Sequence, residues 1–479
     1  MPDDLVLASL LTVPQDESER TLAARYAPVL LFDAREPFLP LAAGYTIFRH
    51  SGPSPSFRQG FTVDLMPQGQ PPARFAIEYA IWWDWDIGHL YELEHVWVYV
   101  DDVGRVVRCE ASWHGGYHDL RHEGQLALEG DHVMVYSEPG KHAFAPTPDW
   151  FRERRKFMRS ETSELAGVGG VLVARYIEGK VKPTPLKTRL VHTYLAQHAF
   201  EPSWEFTQVF YVTYNLLVPW PALRDWMSVR INHILERLGR EIPPSDYRFL
   251  RIGHRGAAAH APDNTLLGIR QAALLGADLV EIDVRHAKRA DGRVVLSHQD
   301  HTTVADGRIR FVEQSALAKL QAIDLGQGER IPTLEQVIQV CQQEQLGAYI
   351  ELKDGRCVPT VADMIRQLKF GDQCIVASFR PDWVADTKAI APKLLTSVLF
   401  SSTHVDAVKL AQSARANFVH PCWERFEHPA SLLTPDWVAR VRQADLGIIC
   451  WHEERPDEIA ALRRAGVDGI CSDSPELLR

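Results

Sequence analysis

Short apolar runs alternate with amphipathic segments from about residue 247 to the end of the sequence. The runs predict eight β-strands, at 249–254, 279–284, 348–352, 374–378, 395–400, 418–421, 447–451 and 469–472. The segments between them show helical periodicity, for example at 264–275, 333–344, 359–368, 405–413, 436–443 and 456–465. Eight strands alternating with helices are typical of an α/β protein with a closed (β/α)8, or TIM, barrel, whose usual length of about 250 residues fits this half.

The first half has a different pattern. Its apolar segments are short, often alternate with polar residues and are separated by Gly, Pro and Asp, at 28–32, 75–82, 95–100, 106–112, 132–136, 171–177 and 208–214. They predict a mainly-β sandwich, with flanking helices at 17–25 and 221–238. We therefore predict two domains, a β-sandwich at 1–240 and a barrel at 247–479, joined by a linker at 239–246.

Composition narrows the class of protein. Of 479 residues, 46% are hydrophobic and 24% charged, which is typical of a soluble globular chain. The net charge of -10 argues against a nucleic-acid partner. The seven cysteines show no metal or redox spacing, which favours a reducing, cytoplasmic location. Since there is no apolar run of about 18 residues and no recognisable signal peptide, we expect any membrane contact to be peripheral.

Five reactive side chains lie within fewer than fifty residues of the predicted barrel, namely His254, Arg255, Glu281, Asp283 and His298. Cleavage of a phosphodiester requires neutralisation of its charge, removal of a proton from the attacking oxygen and protonation of the leaving oxygen. Arginine, a cation held by carboxylates and paired histidines supply these functions. Several of these residues lie near the C-terminal ends of predicted strands, where TIM barrels carry their active sites.

A longer series of motifs carries a family resemblance. In order along the chain these are His254-Arg255-Gly256, Pro262-Asp263-Asn264-Thr265, Glu281-Ile282-Asp283, His298, Ile331-Pro332-Thr333-Leu334-Glu335, Glu351-Leu352-Lys353, Ser378-Phe379, Trp451 and Gly466-Val467-Asp468-Gly469-Ile470. Their order and spacing over about 249–479 resemble the glycerophosphodiester phosphodiesterase family.

The resemblance implies roles for the matching residues. Glu281, Asp283 and Glu351 would hold a divalent cation, usually Mg²⁺ or Ca²⁺, and His254 and His298 would form the acid and base pair. Three carboxylates without cysteine fit a hard metal, and residues two apart on a strand face the same side. The other interpretation is that these carboxylates are solvated acids at loop edges. Which histidine is the acid, and whether water or a substrate hydroxyl attacks, stays open.

Four further residues each have two interpretations. Arg255 offers a planar fork for phosphate and Lys353 adds a second positive charge, but both could instead be ion-pair partners of the carboxylates. Phe379 and Trp451 could line the site as an apolar wall beside the alcohol, or pack in the core.

Departures from the family pattern concern the substrate pocket. Asp263 stands where Glu is common, and Gln299 separates His298 from Asp300. The segment 302–306 lacks an arginine often present there, and Trp451-His452-Glu453-Glu454 replaces the usual Trp-Thr-Val-Asn. These changes leave the predicted metal and acid-base positions intact but make specificity for glycerol less secure than phosphodiester cleavage.

The first half carries a shorter resemblance, on 88–98, 111–117 and 140–143, to the necrosis- and ethylene-inducing toxins and to a vacuolar-sorting-associated β-sandwich family. In the toxins the positions of His89, Glu92 and Glu94 belong to a metal-binding heptapeptide. A site with Asp84 or Asp86 as a further ligand, or an acidic edge with surface histidines, both fit the pattern. A metal site here would imply a module that binds a lipid or glycan headgroup.

The expected function is metal-dependent hydrolysis of a glycerophosphodiester, a small-molecule or lipid substrate, to sn-glycerol 3-phosphate and an alcohol. One alternative is a phospholipase D-type enzyme that cleaves lysophospholipids. Another is a lipid-binding protein whose barrel has lost activity.

Overall fold

A computed structural model describes residues 4–57, 61–243, 246, 248–288, 292–303 and 308–479. Contacts divide the chain into two compact units. The N-terminal unit consists of Met1–Pro183 and Leu190–Ile242, and the barrel unit of Thr184–Arg189 and Pro243–Arg479. Among the described residues, no helix combines the length and the apolar character needed to cross a membrane.

The N-terminal unit is built mainly from β-strands. Its strands β1 to β13 are Val29–Phe32, Ala42–Phe48, Gly52–Pro53, Thr62–Val63, Phe75–Trp85, Leu90–Val100, Val106–Trp113, Gly116–Asp119, Leu128–Glu129, His132–Ser137, Phe144–Ala145, Gln208–Tyr211 and Leu217–Pro219. Six of them form a sheet in the order β13-β2-β5-β6-β7-β8. A second sheet has the order β11-β10-β1-β12, with β9 beside β10, and β3 pairs with β4. This arrangement confirms a β-rich first domain.

The helices α1 to α5 are Leu5–Leu11, Glu17–Arg25, Arg155–Thr162, Pro185–Gln197 and Trp220–Glu241. Short 3-10 helices occupy Pro148–Arg154 and Tyr214–Leu216. The helix predicted at 17–25 has the predicted bounds, and the one predicted at 221–238 is longer at both ends. The first residues of the predicted linker therefore belong to α5, whereas residues 244 and 245 lie outside the described residues.

Several features of this unit differ from the prediction, among them helices α1 and α3 and several short strands that were not predicted. Residues 171–177 were predicted as a strand but form a loop and a turn. Val171 and Ile177 are buried although the segment pairs with no strand among the described residues, and this burial explains the apolar pattern. Strand β2 was not predicted, since its Ala-Ala-Gly start has low strand propensity. A Cβ on Gly44 would lie 2.9 Å from Cδ2 of Leu223, so the close approach of α5 accounts for the small residue.

The barrel unit contains eight parallel strands in a closed ring. They are β14 Leu250–Gly253, β15 Leu279–His286, β19 Gly347–Leu352, β20 Cys374–Ser378, β21 Leu395–Phe400, β22 Phe418–Pro421, β23 Gly447–Cys450 and β24 Gly469–Ser472. Pairing runs from β14 through β15 and β19 to β24 and back to β14. β16 Val294–Leu296 adds antiparallel to β15, and β17 His301–Thr303 pairs with β18 Ile309–Phe311. The predicted barrel is confirmed, with every strand within two residues of its predicted bounds.

Helices surround the barrel strands. The helices α6 to α13 are Leu266–Leu274, Leu317–Gln321, Leu334–Gln343, Val358–Gln367, Pro381–Ile390, Ala407–Ala414, Pro435–Gln443 and Pro456–Arg464. Short 3-10 helices lie at Val312–Gln314, Gly355–Cys357, Gly371–Gln373, Pro429–Leu432 and Pro475–Leu478. The inward side chains fill the interior with an apolar cluster that includes Ile252, Leu279, Tyr349, Ile375 and Ile449. Because apolar side chains fill this interior, we expect the polar site residues at the C-terminal ends of the strands.

Candidate active site

Three buried carboxylates meet at the C-terminal end of two neighbouring barrel strands. Glu281 and Asp283 lie two residues apart on β15 and therefore face the same side. The parallel register pairs Asp283 with Glu351 on β19. One oxygen from each of the three residues lies within 4.8 Å of the others. Sequence spacing and barrel geometry thus bring together the three predicted metal ligands.

The charges of this carboxylate trio are incompletely balanced by the surrounding protein. Oε1 of Glu281 and Oε2 of Glu351 are buried without a hydrogen-bond partner among the described residues, and Oδ1 of Asp283 is paired with Lys353 at 3.2 Å. Burial, followed by repulsion from Asp283, raises the pKa of Glu281 well above its usual range, and burial raises that of Glu351 to about 7. Unpartnered oxygens at close range are the donors that a hard divalent cation takes, so the residues fit such an ion.

Two cationic side chains border the trio. Nζ of Lys353 is 2.6 Å from Oε1 of Glu351 and 3.2 Å from Oδ1 of Asp283. Nε of Arg255 is 3.5 Å from Oδ2 of Asp283, and its Nη1 donates to Asp263 at 2.7 Å. Both residues therefore make the ion pairs that one interpretation of the sequence predicted. Because both side chains lie beside the trio, they could also contact a phosphate group bound next to it.

The loop between β14 and α6 holds these groups in place. Asn264 has a left-handed backbone, with φ of 57°, and its side-chain Nδ2 donates to Oδ2 of Asp283 at 2.9 Å. Its Oδ1 accepts from the backbone N–H of Asp283, also at 2.9 Å. Asn264 lies in a motif noted in the sequence but was not predicted as a site residue. The signal for it was the motif's position directly before a helix.

His254 directly follows strand β14, and its imidazole is fixed on one side. Nδ1 lies 2.6 Å from Oδ1 of Asp473, and Nε2 lies 4.0 Å from Oε2 of Glu281. Nε2 is buried and has no hydrogen-bond partner among the described residues. Asp473, which follows the last barrel strand, was missed by the sequence prediction, although its place at a strand end was the same signal that identified His254.

His298 enters the site from the segment after β16. Its backbone carbonyl accepts from the guanidinium of Arg285, and Nδ1 lies 3.2 Å from Nε2 of Gln299. Burial lowers its pKa to about 4, while the charge of Asp283 acts in the opposite direction. At neutral pH the ring is therefore an uncharged imidazole, which can accept a proton. Part of the altered segment that follows, residues 304–306, lies outside the described residues.

Phe379 and Trp451 lie side by side next to the charged groups. Their ring centroids are 5.8 Å apart, and Nζ of Lys353 is 5.8 Å and 5.7 Å from the two centroids. Phe379 is 41% exposed, so it faces solvent rather than the core. The two rings form an apolar edge beside the carboxylate trio.

The N-terminal unit contains a separate polar cluster between β5 and β6. Nε2 of His89 is 3.7 Å from Oδ1 of Asp86 and 3.8 Å from Oε2 of Glu92. Lys141 pairs with Asp86 at 2.6 Å, and Oδ2 of Asp86 is buried without a partner among the described residues. These three groups could hold a cation.

The remaining candidates of this unit make other contacts. The carboxylate of Glu94 accepts a hydrogen bond from the Ser112 hydroxyl, and Asp84 pairs with Arg230 at 2.6 Å. Asp86, rather than Glu94 or Asp84, is the acid whose oxygen groups with the ligand atoms of His89 and Glu92.

The barrel half of the chain is similar to proteins of one known family. The model of the glycerophosphoryl diester phosphodiesterase family matches residues 254–477. Glycerophosphodiester phosphodiesterase of Caldanaerobacter subterraneus is 30% identical over 244 residues, 48% of this chain and 96% of that protein. Human glycerophosphodiester phosphodiesterase 1 is 30% identical over 169 residues, 33% of this chain and 50% of that protein.

Solved structures also match. One is an Oleispira antarctica phosphodiesterase in complex with the product sn-glycerol-3-phosphate. It is 25% identical, covers 47% of this chain and 94% of its own, and has a TM-score of 0.42.

Proposed function

The chain belongs to the glycerophosphoryl diester phosphodiesterase family, and we propose that it hydrolyses a glycerophosphodiester to sn-glycerol 3-phosphate and an alcohol. The observation that carries the proposal is the convergence of Glu281, Asp283 and Glu351 with His254 at one barrel face. His254 supplies proton transfer, and a divalent cation held by the three carboxylates would supply the charge neutralisation that phosphodiester cleavage also requires.

In the proposed mechanism Glu281, Asp283 and Glu351 hold a divalent cation, Mg²⁺ or Ca²⁺. When bound, such an ion stabilises negative charge on the phosphoryl oxygens. Lys353 already lies against Glu351 and Asp283, so its ammonium group contributes positive charge on the same side. Arg255 is oriented by Asp263 and offers its remaining N–H groups to a phosphate oxygen.

The two imidazoles carry the protons. Asp473 accepts the hydrogen bond from Nδ1 of His254, so Nε2 is the nitrogen free to exchange a proton with the substrate. One histidine removes the proton of the attacking oxygen, and the other protonates the leaving alkoxide. Overall, one water is consumed, one phosphorus–oxygen ester bond breaks, and a phosphomonoester and an alcohol are released.

Lysophospholipid cleavage is a second candidate reaction at the same site. The exposed face of Phe379 and its neighbour Trp451 offer an apolar edge next to the proposed phosphate position. A substrate with an acyl chain would cover this edge, whereas the choline of glycerophosphocholine would cover only part of it. Comparison of kcat/KM for glycerophosphocholine and lysophosphatidylcholine separates the two substrates.

Substitution of the histidines tests the proposed chemistry. His254→Ala and His298→Ala each remove a proton-transfer group that contributes about 10²–10⁴ in rate, so turnover should fall by that factor. Circular dichroism should remain that of the parent protein, because both side chains border the site rather than the packed interior. Turnover at the parental rate in either variant would refute the assignment of that histidine.

We further propose that Asp86, His89 and Glu92 of the N-terminal unit bind a divalent ion that recruits an anionic headgroup. The buried, unpartnered Oδ2 of Asp86 supports this function. Metal analysis of the full chain with Asp283→Asn, which weakens the barrel carboxylate site, should still find a bound ion after the protein is loaded with Mg²⁺ or Ca²⁺ alone. Addition of His89→Ala should remove that ion. An equal content in both proteins, or no bound ion in the first, would contradict the proposal.

A further inference from the structure

A second group of metal-ligand side chains lies next to the carboxylate trio and shares no residue with it. It consists of His254, His452 and Asp473, each of which offers one ligand atom within 4.8 Å of the others. His254 and Asp473 follow barrel strands β14 and β24, and His452 comes two residues after β23. Three adjacent strand ends therefore place two imidazoles and a carboxylate together.

Hydrogen bonds and ring packing hold this group in one arrangement. The rings of His254 and His452 stack with centroids 4.9 Å apart and an interplanar angle of 12°. Nδ1 of His452 is 3.1 Å from both carboxylate oxygens of Glu454. Oε1 of Glu454 also accepts from the backbone N–H of Asp473 at 2.9 Å. A fourth potential ligand, Glu454, thus contacts His452 and Asp473 directly.

We propose that His254, His452 and Asp473, with Glu454 beside them, form a binding site for a borderline transition-metal ion such as Zn²⁺. Zinc accepts imidazole nitrogen together with carboxylate oxygen, usually from three or four ligands. The oxygen-only trio suits Mg²⁺ or Ca²⁺, whereas the paired imidazoles favour a softer ion. The two adjacent groups therefore select different metals.

Solvent has access to the zinc site. The side chain of His452 is 27% exposed, that of Asp473 33% and that of Glu454 35%. An ion can thus arrive without opening the barrel.

Zinc at this site would inhibit the enzyme, a consequence that rests on the proposed function. Nδ1 of His254 is hydrogen-bonded to Oδ1 of Asp473 at 2.6 Å, so Nδ1 is the nitrogen that faces the zinc site. Zinc would take the lone pair of that nitrogen, and the ring proton would move from Nδ1 to Nε2, which gives the other neutral tautomer and ends the hydrogen bond to Asp473. His254 would then be held by the metal and could not exchange protons with substrate through a freely adjusting ring.

Zinc binding can be measured without turnover. The full chain is first stripped of metal and then saturated with Mg²⁺, which occupies the oxygen-only trio. Zn²⁺ is then added, and its binding is followed by calorimetry. We expect His452→Thr to bind one zinc fewer than the parent and Glu454→Gln to bind that zinc more weakly. The matched control is His428→Thr, which alters a histidine 2.9 Å from Glu458 elsewhere on the barrel and should not change the stoichiometry.

Turnover measured in parallel separates this proposal from the proposed function. Zinc should inhibit the parent and His428→Thr, and His452→Thr should resist inhibition. Equal zinc binding by the parent and both site variants would overturn the proposal, as would absence of zinc binding by the parent. Zinc inhibition of equal strength in His452→Thr would overturn it as well. A protein that binds zinc through His452 but cleaves no phosphodiester would retain the zinc site and lose the proposed function.

Discussion

His254 and Asp473 are 219 residues apart in the chain, yet Nδ1 and Oδ1 of their side chains lie 2.6 Å apart. The closure of the barrel between β14 and β24 produces this contact, because the two residues follow strands that pair with each other. The carboxylate places the imidazole proton on Nδ1 and directs Nε2 towards Glu281. Asp473 is therefore the group that orients the proposed proton-transfer residue.

Asp473→Asn should reduce kcat while leaving KM within a few-fold of the parental value. The amide keeps the shape but no longer favours the proton on Nδ1, so we expect a loss of about 10- to 1,000-fold, within the range of general acid-base catalysis. Steady-state kinetics with glycerophosphocholine measure both constants. The control is Glu458→Gln, which removes the carboxylate of the distant His428 pair. A kcat of Asp473→Asn equal to that of the control would exclude an orienting role.

Removal of divalent cations should stop turnover and lower thermal stability together. Without an ion the buried carboxylates of Glu281, Asp283 and Glu351 lie close together, and repulsion from Asp283 and Glu351 adds to burial in raising the pKa of Glu281. Mg²⁺ or Ca²⁺ at 100 times its Kd should stabilise the folded protein by about 2.7 kcal/mol.

Differential scanning fluorimetry with chelator and with added metal measures this shift. Asp283→Asn should reduce the shift, whereas Asp263→Asn, which alters an exposed carboxylate outside the trio, should retain it. Full activity in excess chelator would contradict the metal role of the trio.

Gly256→Ala should destabilise the barrel. Gly256 has φ of +98°, and a Cβ there would lie 2.7 Å from the backbone carbon of Gly268. Strain from such a backbone conformation costs about 1–3 kcal/mol, and the clash adds to it. Urea denaturation followed by tryptophan fluorescence measures the change. Gly371→Ala is the control, because its Cβ would meet Leu394 at an ordinary 3.4 Å. Similar midpoints for both variants would refute the steric explanation.

The barrel could be predicted closely because its strands are buried on both faces. Continuous apolar runs such as 395–400 and 418–421 then mark strand bounds directly. Glu281 and Asp283 interrupt one apolar strand at alternate positions, so the pattern predicted that they face the same side. Their grouping with Glu351 as metal ligands came from the family resemblance, not from the strand pattern.

Contacts that depend on long-range pairing could not be predicted in this way. A closed barrel already makes β14 and β24 neighbours, but it does not show which side chains beyond their ends meet, so the contact of His254 with Asp473 was missed. In the N-terminal unit, Gly44 lowers the strand propensity of the β2 sequence. Glycine suits this position because α5 packs so closely that a Cβ would clash with Leu223. Residues 171–177 were wrongly predicted as a strand, because a buried loop can show the same apolar pattern as a strand.

His420 should make the barrel less stable as pH falls. Its imidazole is buried in the barrel interior, with Nδ1 2.6 Å from the hydroxyl of Tyr349, and burial lowers its pKa to about 3. The unfolded chain takes up a proton near the ordinary histidine pKa of about 6.5, whereas the folded protein does not. The unfolded state is therefore favoured as pH falls from 6.5 towards 3, by up to about 1.4 kcal/mol per pH unit.

His420→Gln should lose this part of the pH dependence. Urea unfolding of the barrel between pH 7 and pH 4 measures it as the slope of unfolding free energy against pH. We expect the slope of the variant to be smaller by the equivalent of one proton, whatever its stability at neutral pH. His404→Gln serves as the control, because His404 is exposed in the folded protein and its environment changes little on unfolding. Equal slopes for the parent, His404→Gln and His420→Gln would show that the buried imidazole does not resist protonation in the folded barrel.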